Sequence, residues 1–78
     1  MEKLMKILSE LRLDIDFANE KELITGGVLD SFDVVALVEE INEGFNVEIT
    51  PEHLTPENFD SAEAIYNLIT ALQGIKND

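Results

Sequence analysis

Apolar positions recur at helical spacing in three places along the chain. Leu4, Ile7, Leu8 and Leu11 form the first stripe, with Lys3, Lys6, Glu10 and Arg12 mostly outside it. This spacing predicts an amphipathic helix over residues 2–13. Val34, Leu37, Val38, Ile41 and Phe45 form the second stripe, and Asp33, Glu39, Glu40 and Glu43 fall on the opposite side. That helix opens at Asp30 or Ser31, and Gly44 signals its end at about 44 or 45. Ile65, Leu68, Ile69 and Leu72 repeat the template a third time. Asp60-Ser61-Ala62-Glu63 reads as a capping-box-like start for it, and Gly74 as its stop.

The stretches between the stripes are less regular. Residues 14–27 are polar, with Ile15, Phe17, Leu23 and Ile24 interspersed. A connection this long in a compact domain is functional or held down by its own side chains, and Phe17, Leu23 and Ile24 are suited to that packing. Gly26-Gly27 marks a turn that needs backbone freedom. Two look-alike pentapeptides follow the second stripe, Thr50-Pro51-Glu52-His53-Leu54 and Thr55-Pro56-Glu57-Asn58-Phe59. Each has Thr as N-cap, Pro at the first helical position and Glu in the first turn. Each predicts a single turn, with Leu54 and Phe59 tucked inward. Only Val47-Glu48-Ile49 hints at extended backbone. Three apolar stripes have only one another to bury against. The expectation is an all-α fold, a small helical bundle with three main helices and a short one or two between the second and the last.

Length and charge narrow the function. The chain has 78 residues, enough for one domain spanning 1–78 and no second core. Asp plus Glu number 17 against 5 Lys plus Arg, a formal charge of −12. That excludes nucleic-acid binding through phosphate neutralisation and disfavours an anionic membrane surface. A partner with a basic patch is the natural complement. The absence of Cys and the single His exclude disulfides, thiolate catalysis and His-rich metal sites. The start, Met1-Glu2-Lys3-Leu4, has no basic segment followed by an apolar stretch. The longest apolar run, Val34-Val35-Ala36-Leu37-Val38, is too short to cross a bilayer. The expectation is a cytoplasmic monomer that is not itself an enzyme.

One position combines placement with chemistry. Ser31, in Gly26-Gly27-Val28-Leu29-Asp30-Ser31-Phe32-Asp33, sits where the long connection meets the acidic helix. With Asp30 as N-cap, Ser31 is the first helical residue and its hydroxyl faces outward. A phosphoester there gains from the helix N-terminus, by about 0.3–1 kcal/mol. Ser is also an ordinary helix opener, and Asp60-Ser61 has the same local grammar. Capping logic alone does not separate the two serines. Ser31 has no neighbouring His or Lys as a base, so another enzyme must activate it. Elsewhere, Asp14-Ile15-Asp16 resembles the opening of a calcium loop, but the Gly and distal Glu of that motif are missing. His53 reads as a surface or half-buried side chain.

The run Gly27-Val28-Leu29-Asp30-Ser31-Phe32-Asp33 resembles the attachment motif of acyl carrier proteins, usually Asp-Ser-Leu. The rest follows in register. The acidic helix ends in Glu43-Gly44-Phe45, followed by Val47-Glu48-Ile49-Thr50-Pro51-Glu52 and Leu54-Thr55-Pro56-Glu57-Asn58-Phe59-Asp60-Ser61, with Ala64-Ile65 in the closing helix. The resemblance covers about residues 4–72. It implies a four-helix bundle with a short third helix. It also implies that a phosphopantetheinyl transferase, using coenzyme A and a divalent metal ion, places 4′-phosphopantetheine on Ser31. The thiol of that arm would hold acyl or aminoacyl groups as thioesters, which fits a chain with no cysteine of its own. Asp30, Asp33, Glu39, Glu40 and Glu43 would meet basic patches on the enzymes that load and unload the arm. A fatty cargo would lie among Val28, Phe32, Leu37, Ile49, Phe59 and Ile65.

The flanking residues depart from the fatty-acid pattern. Leu29 and Phe32 replace Ala and Leu around Asp30-Ser31, and Ala36 and Glu39 stand where Glu and Met are common. This run looks more like discrete carriers outside core fatty-acid synthesis, including D-alanyl carriers of teichoic acid modification. The cargo is therefore open. The reading from a different class is an acidic helical adaptor with no prosthetic group.

Overall fold

The computed structural model describes residues 2–77, with side chains described through Gly74; Met1 and Asp78 lie outside the described residues. The described chain is all-helical, without strands. Four α-helices follow in order: α1 (Glu2–Leu11), α2 (Ser31–Phe45), α3 (Pro56–Phe59) and α4 (Ala62–Asn77), with a 3-10 turn at Pro51–His53 before α3. The fold is a small helical bundle in which α1 packs on α2 and α4, and α3 packs on α4.

The three stripes make the core. Leu4 and Leu8 of α1, Leu37 and Ile41 of α2, and Ile65 and Ile69 of α4 are fully buried. Phe59 from the short α3 joins them. The long connection supplies Phe17, Leu23 and Leu29, with Ile24 packed against the cluster. The connection is thus held down by its own apolar side chains, as its composition predicts. Val47 and Ile49 are buried and Glu48 between them is exposed. This is the alternation of extended backbone, here running without a partner strand.

The structure departs from the sequence expectation in four details. First, α1 stops at Leu11 rather than Leu13. The Arg12 side chain turns to bond Asp14 and Asp33, and Leu13 is left 89% exposed. Second, α2 ends at Phe45, as expected, but Gly44 is not its cap. The cap is Asn46, in the left-handed region at φ 54°, whose N–H donates to the Asn42 carbonyl. Asn accepts this conformation more readily than most residues. The Asn42 side chain also accepts the Ile49 N–H at 2.9 Å, fixing the exit of the chain. Gly44 serves packing instead. A Cβ there would stand 3.3 Å from Ile7 Cδ1 and 3.5 Å from Lys3 Cε. Lys3 donates its ammonium to the Gly44 carbonyl and lies over the Phe45 ring, where a cation complements the C-terminal end of the helix dipole.

Third, α4 runs through Gly74 rather than stopping there. A mid-helix Gly costs about 1 kcal/mol relative to Ala, and the space where its Cβ would stand is open. Gln73 beside it reaches the Phe45 carbonyl at 3.4 Å. Fourth, Leu54 does not tuck inward. It is 41% exposed, because it joins two one-turn elements on the outside of the bundle.

Candidate functional site

Ser31 is the first residue of α2, and the reason is local. Asp30 takes the extended conformation, and its carboxylate accepts the Asp33 N–H at 2.9 Å. The Asp33 carboxylate in turn accepts the Asp30 N–H at 3.2 Å. This reciprocal capping box satisfies the helix start with two aspartates. The Ser31 hydroxyl is therefore not needed as a cap, and Ser31 is exposed. Phe32 beside it is 86% exposed.

The expected acidic face is present but not uniform. Asp30, Glu39, Glu40 and Glu43 are exposed. Asp33 is largely covered and pairs with Arg12 at 2.7 Å. Arg12 also holds Asp14, at 3.0 Å. The guanidinium bonds of Arg12 lower the Asp14 pKa below the usual carboxylate range, and the two carboxylates hold Arg12 firmly protonated. Arg12 thus fastens the end of α1 to the first turn of α2. It also offers no base to Ser31. Sequence periodicity placed Asp33 among the outward acids, and nothing in its spacing signalled a partner 21 residues upstream.

The approach to Ser31 is the connection over residues 14–30. Gly27 has φ +72°, which makes the glycine there a conformational requirement. Gly26 has a different reason, since a Cβ would meet the Glu22 carbonyl oxygen at 2.6 Å. The loop closes on itself through Gly26 N–H to Glu22 carbonyl, Gly27 N–H to Ile24 carbonyl and Leu29 N–H to Leu23 carbonyl. It is also bound from outside by Asp60. One Asp60 carboxylate oxygen accepts the Ile24 and Thr25 N–H groups, each at 2.9 Å. The other accepts the Thr25 hydroxyl at 3.2 Å, and the Asp60 carbonyl accepts the Leu23 N–H at 2.9 Å. These bonds, the Thr25 N–H foremost, hold the Asp60 carboxyl below its ordinary pKa against the opposing effect of desolvation. The sequence reads Asp60 as part of a helix start; the cap there is Ser61, and the Asp60 carboxylate binds the loop instead.

Two concavities adjoin the long connection. An apolar crevice of about 90 Å³ is lined by Ile24, Val34, Leu54, Thr55 and Phe59. A larger one of about 350 Å³ lies between α1, the long connection and the start of α4, and Ser31 does not line it. Of the residues expected around an apolar cargo, Leu37, Ile49, Phe59 and Ile65 are in the core, Val28 packs against it, and Phe32 points away into solvent. Phe32 belongs to the outer face of the helix rather than to any interior passage.

The remaining candidates are structural. Asp14 is tied to Arg12, and Asp16 accepts the Asn19 side-chain amide at 2.7 Å. Among the described residues no cluster of three or more His, Cys, Asp or Glu side chains is placed to hold a metal ion. His53 is half-buried, and its Nδ1 accepts the Thr50 N–H at 3.1 Å, capping the 3-10 turn. Among the described residues no helix is long and apolar enough to cross a membrane. No family model matches the chain, and a search of curated proteins finds no match.

Proposed function

We propose that this protein is a phosphopantetheine-dependent carrier, with Ser31 as the attachment residue. The observation that carries the reading is the free, exposed Ser31 at the first position of a helix whose cap is already complete in Asp30 and Asp33. A substituent on that hydroxyl costs the helix no capping bond. The unpaired amides of the first turn and the helix dipole favour an anion at this end. Arg12 supports the same reading by offsetting the Asp33 charge in that turn.

The residues fit the group in a simple sense. Ser31 supplies the oxygen for a phosphodiester, and the solvent-facing start of α2 leaves room for a long arm. When attached, 4′-phosphopantetheine supplies a terminal thiol that carries acyl or aminoacyl groups as thioesters. The chain itself supplies position and recognition. It provides no base for Ser31, so a phosphopantetheinyl transferase must remove the hydroxyl proton. Asp30, Glu39, Glu40 and Glu43 form the exposed acidic strip that would meet basic patches on that transferase and on acyl- or aminoacyl-loading enzymes.

The test is the intact mass of the folded protein before and after incubation with coenzyme A, magnesium and a broad-specificity phosphopantetheinyl transferase. The expected result is the mass of one phosphopantetheine, mapped to Ser31 by peptide fragmentation. No addition by several transferases would overturn the reading in favour of an acidic adaptor without an arm.

A further inference from the structure

Asp60 makes more contacts to the long connection than any capping role requires. It follows the last residue of α3 and precedes Ser61, whose hydroxyl caps α4 by accepting the Ala64 N–H at 3.1 Å. Its own carboxylate is thereby left over. It reaches across 36 and 35 residues of sequence to Ile24 and Thr25. The bonded path continues inward from there. The Asp60 main-chain carbonyl accepts the Leu23 N–H, the residue joined to the carboxylate-bound Ile24; the Leu23 carbonyl accepts the Leu29 N–H at 2.8 Å, and Leu29 precedes the Asp30 cap of α2. Every step of this path is a hydrogen bond or a single peptide link. The only residue with positive φ between its ends is Gly27, where a glycine backbone has the widest choice of alternative conformations.

We propose that Asp60 is a positioning residue for Ser31: clasping residues 23–25, it fixes where residues 29–31 enter α2 and so how the serine is presented to a modifying enzyme. An untethered loop would still be joined to α2, but its entry would vary through Gly27. A reacting oxygen displaced by about 1 Å can lose a hundredfold in rate. Asp60 acts through the loop and touches no reacting atom. The inference rests on the carrier reading for its chemical consequence, while its structural half stands apart from that reading.

Three variants test it: Asp60→Ala, which removes the carboxylate bonds to Ile24 and Thr25 and leaves the main-chain bond to Leu23; Asp60→Asn, which keeps an acceptor oxygen for both amides; and Ser61→Ala, which weakens α4 next door without removing a hydrogen bond to the loop. Amide hydrogen exchange is read at Leu29, which bonds to Leu23 and not to Asp60. Transfer of phosphopantetheine to Ser31 from coenzyme A is read as kcat and KM separately. In Asp60→Ala, Leu29 exchange is expected to rise about tenfold and kcat/KM to fall about tenfold, chiefly through kcat. Asp60→Asn should recover most of both, and Ser61→Ala should change neither. Wild-type loading by Asp60→Ala overturns the proposal, whether or not Leu29 exchanges faster. Equal loss of loading in Ser61→Ala also overturns it, since general stability would then explain the effect. Where Asp60→Ala does not fold, Thr25→Val deletes one bond of the clasp, and a smaller change in the same direction is the supporting result; no change overturns it. If the wild-type chain accepts no arm, the carrier reading fails. Leu29 exchange then decides the clasp alone, supporting it if faster in Asp60→Ala and overturning it if unchanged.

Discussion

Two helix starts in this chain share nearly the same four residues, Asp30-Ser31-Phe32-Asp33 and Asp60-Ser61-Ala62-Glu63, and use them in opposite ways. At α2 the aspartate is the cap, closed by Asp33, and the serine is helical and exposed. At α4 the serine is the cap, bonded to the Ala64 N–H, and the aspartate is turned onto the long connection. The frame has shifted by one residue. The shift frees one serine hydroxyl and commits the other. The cause lies outside both tetrads. Asp60 has two loop amides and a hydroxyl within reach, and they draw its carboxylate off the helix that follows. Asp30 has no such competing donors, and Arg12 steadies the Asp33 that completes its box.

The largest expected effect separates the two serines outright. Ser31→Ala should abolish the coenzyme A-dependent mass gain, and Ser61→Ala should leave it complete, as read by intact mass. Loading of both variants alike would break the comparison.

Stability should give the reverse order. Asp30→Ala and Ser61→Ala each remove a working cap and should each cost about 1 kcal/mol, while Ser31→Ala should cost only a few tenths. Chemical denaturation of the three variants measures this. A Ser31→Ala cost as large as that of Ser61→Ala would mean that Ser31 is a cap after all.

A smaller effect concerns acid. The Asp60 carboxyl titrates below its ordinary value in the folded chain, so its contribution is fully present above the unfolded value of about 3.9 and is lost as pH falls through the lower folded value. Total stability is an unsuitable readout, because protonating a chain of charge −12 also relieves self-repulsion. The difference between wild type and Asp60→Asn isolates the term. It should be constant from neutral pH to about 5 and shrink below about 4.

The mildest effect is at the acidic strip. Affinity for a basic partner should weaken with salt as the screening length falls to about 10 Å at 0.1 M. Titrations at several ionic strengths should show a reduced salt slope for Glu39→Gln or Glu43→Gln. Arg12 already occupies Asp33, so Asp33→Asn should change the salt slope less than either. A larger change at Asp33 would place that residue in the interface.

Much of the bundle was legible because its information is local. Leu4 and Leu8, Leu37 and Ile41, and Ile65 and Ile69 announce buried helix faces through spacing alone. The Thr-Pro-Glu pairs announced single turns at Pro51–His53 and Pro56–Phe59, and Phe17 and Leu23 announced a packed connection. The glycine stop signals misled. Glycine is permissive rather than obligatory at a helix end, and Gly44 lies where a Cβ would crowd the Ile7 side chain of α1. Exposure of Leu54 and Phe32 was equally hidden, since an apolar residue reads as inward until its neighbours are known.

By itself the sequence determined the helices, their apolar faces, the net charge and the two serines with helix-start grammar. Each follows from residue type and from spacing of four or fewer positions. Only the tertiary structure decided which serine hydroxyl is free, which aspartate is paired and what holds the loop before α2. Those outcomes depend on competition for carboxylate oxygens among donors that folding alone brings together: Arg12 onto Asp33, and Ile24 and Thr25 onto Asp60.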